Sequence, residues 1–125
     1  TSLFAPFVGA IDRATGAITV DIAPFIPLNM IAAPSGSTHF KIISAGAEID
    51  FEAETFVSTN SETAILPWDV TPTVAISQAN AVTPASTKPL FLALGIEFFQ
   101  QVNGQMYALK NGAYNPLALV QVSGL

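Results

Sequence analysis

"PLFLALGIEFFQQVNGQMYAL", Pro89 to Leu109, is the stretch that decides the fold class. Successive side chains of a strand point to opposite faces. Read that way, Leu90, Leu92, Leu94, Ile96 and Phe98 form one apolar stripe. Asn103-Gly104 follows, the dipeptide that suits a two-residue hairpin because both turn positions need positive φ. "QMYAL" then returns as the partner strand. A long antiparallel hairpin is therefore the nucleus of the reading. The opposite face of its first strand carries Phe91, Ala93, Gly95, Glu97 and Phe99, with one charge among five residues. Apolar side chains on both faces raise the question of what covers the second one.

Outward from this hairpin, proline and glycine recur at short intervals, and β-branched and aromatic residues fill the gaps. That spacing predicts an all-β sandwich or barrel. "LFAPFVGAID" (Leu3 to Asp12) reads as a first strand, with Pro6 pointing to an edge position or a bulge. "AITVDI" pairs with it as a hairpin, Ile18, Val20 and Ile22 sharing a face. "APFIPLNMIAAPSGS" reads as an extended, proline-rich crossover with little pairing. "THFKIIS" turns Phe40 and Ile42 inward and His39 and Lys41 outward, and a turn or bulge is expected at Gly46. "EIDFEAETFV" alternates cleanly, which places Glu48, Asp50, Glu52 and Glu54 on one strand face and Ile49, Phe51 and Ala53 on the other. "STNSE" reads as a loop and "TAILPW" as a short strand. "TPTVAISQANAVTPAS" is ambiguous between a strand and a helical turn at "SQANA". Asn111-Gly112 turns again, and "YNPLALVQV" closes the domain. The expectation is a single antiparallel β-sandwich of seven to nine strands over residues 1–125.

Composition narrows the function classes. The chain of 125 residues has a length suited to one core. Charged residues make up 10% and apolar ones 50%, against about 25% charged in an ordinary domain. Net charge is −5, and the four bases Arg13, Lys41, Lys88 and Lys110 are scattered singly. Neutralising a phosphate backbone needs clustered cations, so nucleic acid is not an expected partner. The same scatter speaks against a polybasic membrane patch. No apolar run is long enough for a membrane helix. Cysteine is absent, which excludes disulfides and thiolate metal sites.

The strand order resembles an immunoglobulin-like sandwich, with the long hairpin as its last pair. The Cys–Trp–Cys core signature is missing, and Trp68 follows Pro67 near the short strand. "NMIAAPSGSTHFKIISAGAEIDFE" and "TKPLFLALGIEFFQQVNG" also resemble the C-terminal half of an uncharacterised family of bacterial proteins. In that family a longer, basic, partly helical half precedes this region. The resemblance implies that the 125 residues are a trimmed part of a longer precursor, and it carries over no activity.

Chemistry-bearing residues are few. The row Glu48, Asp50, Glu52, Glu54 reads as a solvated strand face that discourages mispairing. A hard cation is the sharper alternative, though one strand cannot supply six to eight oxygens. Lys41 is expected across the Gly46 turn from this row. His39, the single histidine, has Ser35 and Ser37 near it in sequence but no nucleophile-elbow motif, so no catalytic residue is assigned. Trp68, Tyr107 and Tyr114 are the candidate ring platforms for a sugar. No cofactor motif is present.

The second face of Pro89–Val102 therefore carries the functional reading. Either the proline-rich crossover covers it, or a neighbouring subunit does. The low charge of the whole surface favours the neighbour. Phe91, Ala93 and Phe99, together with Leu3, Phe4 and Phe7 of the apolar N-terminal stretch, are the expected interface. Both apolar ends, "TSLFAPF" and "LALVQVSGL", are suited to strand addition on other copies. The expectation is a non-enzymatic, self-assembling subunit of a surface filament, pilus-like fibre or shell, outside the cell. A carbohydrate- or protein-binding module is the alternative.

Overall fold

The computed structural model describes Leu3, residues 5–109 and residues 118–124. In chain order the elements are β1 (Phe7–Asp12), β2 (Ala17–Ile22), the short helix α1 (Pro27–Met30), β3 (His39–Asp50), β4 (Thr55–Glu62), β5 (Leu66–Pro67), β6 (Ile76–Ala81), β7 (Leu90–Val102), β8 (Gln105–Leu109) and β9 (Ala118–Ser123). The expected all-β antiparallel architecture is what forms. Three strands make a small sheet in the order β1-β2-β6, and six make a large one in the order β4-β3-β7-β8, with β5 on β3 and β9 on β7.

The two sheets pack face to face. Ile18, Val20 and Ile22 of β2 meet Phe40 and Ile42 of β3 and the stripe Leu90, Leu92, Leu94, Ile96, Phe98 of β7, all buried. The period of two visible in the sequence thus becomes the core. The proline-rich crossover closes one end of it: Phe25 and Ile31 are buried there, and Phe25 packs on Phe40 at 6.5 Å between ring centroids. One side of the core is polar. Asn80 donates to the Ser44 hydroxyl at 3.0 Å, and Gln78 donates to the Ile42 carbonyl at 3.2 Å.

Each long strand of the large sheet has a broken partner. β4 and β5 lie end to end along β3, and the Thr63 hydroxyl fills the break by accepting from the Ile42 amide at 3.1 Å. β8 and β9 lie end to end along β7 in the same way. The Asn103-Gly104 turn has φ of 51° and 80°, the pair of positive values that a two-residue hairpin of this kind requires.

Three expectations need correction, and one open alternative, at "SQANA", is resolved. β1 begins only after Pro6, and Leu3 instead makes an isolated bridge to Ile31. β3 runs straight through Gly46, which lies close under Ile18 and Asn80, so that a Cβ there would meet them at 3.0 and 3.1 Å. The reversal comes later, at residues 51–54, because Asp50 Oδ1 accepts from the amides of Glu52 and Ala53 at 3.1 and 3.0 Å and Glu54 takes a φ of 58°. "STNSE" is strand, the second half of β4, and "SQANA" belongs to β6 rather than to a helical turn.

Candidate functional site on the outer face of the large sheet

Residues directly paired in an antiparallel ladder put their side chains on the same face. The registers of the large sheet therefore assemble its outer surface row by row. Phe56 of β4 pairs with Ile49 of β3. Ala47 pairs with Phe91, and Phe91 with Val122 of β9. Ala45 pairs with Ala93, and Ala93 with Leu119. From the turn after β3, Phe51 folds back edge-on against Phe91, with centroids 6.5 Å apart and rings at 80°. The exposed members are Phe51 at 66%, Phe56 at 71%, Leu119 at 58% and Val122 at 52%. On the β4 side the rows end in the exposed polar residues Ser58, opposite Ala47, and Asn60, opposite Ala45, and no charged residue occurs in them.

The other end of the same face is charged. Lys41 Nζ lies 3.0 Å from Glu62 and 3.5 Å from Glu97, and 5.7 Å above the Phe99 ring. The hydrogen bond to Glu62 holds the ammonium above the ordinary lysine value; partial burial opposes this, and the charge of Glu97 adds to it. The straight course of β3 carries Lys41 away from the row Glu48, Asp50, Glu52, Glu54, in which its partner was expected, and it pairs with Glu62 and Glu97 across strands instead.

The residues expected at an interface thus divide. Phe91 and Ala93 lie half-buried in the apolar rows. Phe99 is buried beneath Lys41, and Leu3 is buried in the core, so neither offers free surface. Phe7 stands on β1, the edge of the other sheet. Phe4 lies outside the described residues. The crossover packs into the core, so it does not cover the second face of β7. Phe51, Phe56, Leu119 and Val122 were not assigned from the sequence. The signal for Phe51 and Phe56 was their placement in "FEAETF", which a correctly located turn would have put on one face.

The carboxylate row does not exist as a row. Glu48 and Asp50 point to the inner side of β3, while Glu52 and Glu54 belong to the turn. Glu48 is buried and accepts from the Thr83 hydroxyl at 2.8 Å. Asp50 meets Lys88 at 3.2 Å. The bond from the Ala53 amide, with that from Lys88, lowers the Asp50 carboxyl below its ordinary value. Glu48, Asp50, Thr55, Phe56, Val57 and Lys88 line a shallow pocket of about 190 Å³. Among the described residues no group of three or more metal-ligating side chains forms. Two carboxylates already engaged by Thr83 and Lys88 fall short of a hard cation's oxygen shell.

His39 Nδ1 lies 2.8 Å from the Thr38 hydroxyl, so its neighbour is Thr38 and not Ser35 or Ser37. Trp68 packs against the core, and its indole N–H donates to the Ile31 carbonyl at 3.1 Å. It is a structural ring, not a platform. Tyr107 is exposed on β8, and Tyr114 lies outside the described residues. No family model, curated protein or solved structure matches this chain.

Proposed function

We propose that the chain is a structural, non-catalytic subunit that assembles with copies of itself, as the repeating unit of a surface filament, a pilus-like fibre or a shell. The observation that carries this reading is the charge-free outer end of the large sheet, where Phe51, Phe56, Leu119 and Val122 stand more than half exposed. A contiguous patch of that kind marks an interaction surface. Burying those four side chains on each of two copies contributes on the order of 10 kcal/mol. Association costs about 4–15 kcal/mol, so assembly is expected to depend on concentration. The strand order β1-β2-β6 against β4-β3-β7-β8 supports an immunoglobulin-like frame. A sugar-binding role has less support, since Trp68 is engaged in the core.

Light scattering across a concentration series tests the reading. The chain is expected to grow in mass with concentration, and Phe51→Ser/Phe56→Ser to remain monomeric with an unchanged far-ultraviolet spectrum. A chain that stays monomeric at high concentration overturns it. Negative-stain microscopy then separates filament from ring.

A further inference from the structure

We draw no further inference here: the strongest candidate, the shallow pocket lined by Glu48, Asp50, Thr55 and Lys88 between the end of β3 and the start of β4, carries none because both its carboxylates are already engaged, Glu48 by Thr83 and Asp50 by Lys88, and nothing else in it points to a ligand.

Discussion

Arg13 ties three separate segments of the fold together. It sits in the turn between β1 and β2 and donates to Ser86 and Lys88 ahead of β7 and to Ser123 and Gly124 at the end of β9. Nothing about a lone arginine in "DRATG" announces this, because its partners, backbone carbonyls and the Ser123 hydroxyl, lie 73 or more residues away. Arg13→Ala is expected to lower stability by about 2–3 kcal/mol, the scale of a lost set of charge-assisted bonds. Arg13→Lys should recover little of it, since a single ammonium cannot replace a five-donor fork. Chemical denaturation of the three proteins measures both. Asp50 is the other residue with a long reach. Its folded-state pKa is lowered below 3.8, so its charge stabilises the fold fully above 3.8, and the contribution disappears as pH falls through the lower folded value. Asp50→Asn keeps an oxygen for the turn amides and loses the charge. The variant is expected to be less stable than the parent at neutral pH, with the gap closing in acid, as melts across a pH series would show.

At the scale of elements, the location of one turn separates expectation from outcome. Glycine at position 46 invited a break there, yet Gly46 is mid-strand because the opposite sheet comes close. A Cβ at this position would meet Ile18 Cδ1 at 3.0 Å and Asn80 Cβ at 3.1 Å. Gly46→Ala is accordingly expected to destabilise by about 1–3 kcal/mol through overpacking, read as a lowered melting temperature. The real reversal lies in "FEAE", where a carboxylate caps the turn and no glycine is needed. The "SQANA" segment was ambiguous for a related reason. Its inward positions are Gln78 and Asn80, polar residues that a core pattern does not anticipate. Their amide NH2 groups find the Ile42 carbonyl and the Ser44 hydroxyl on a strand 36 residues away, and Asn80 Oδ1 accepts from the Ser61 hydroxyl. The β7–β8 hairpin, by contrast, was legible throughout. Its stripe, its turn dipeptide and its return strand are all local signals.

For the whole molecule, the scarcity of charge in the sequence has a structural counterpart in the exposed apolar side chains on the outer face of the large sheet. The apolar rows end where Lys41, Glu62 and Glu97 begin, so the face is divided and not uniformly adhesive. Assembly through such a patch is expected to strengthen with sulfate and to respond weakly to sodium chloride, because burial and not charge pairing drives it. The light-scattering series proposed above reads that contrast directly. The sequence by itself determined the fold class, the buried stripes of β2, β3 and β7, and the two-residue hairpin. These follow from alternation and turn chemistry, which act between neighbours in the chain. Only the tertiary structure decided that Phe99 and Leu3 are covered from within, that the carboxylates scatter, and that Phe51 and Phe56 join Phe91, Leu119 and Val122 on one face. Those outcomes depend on register and on which strands become neighbours, and pairing between segments distant in sequence leaves no local mark on either one.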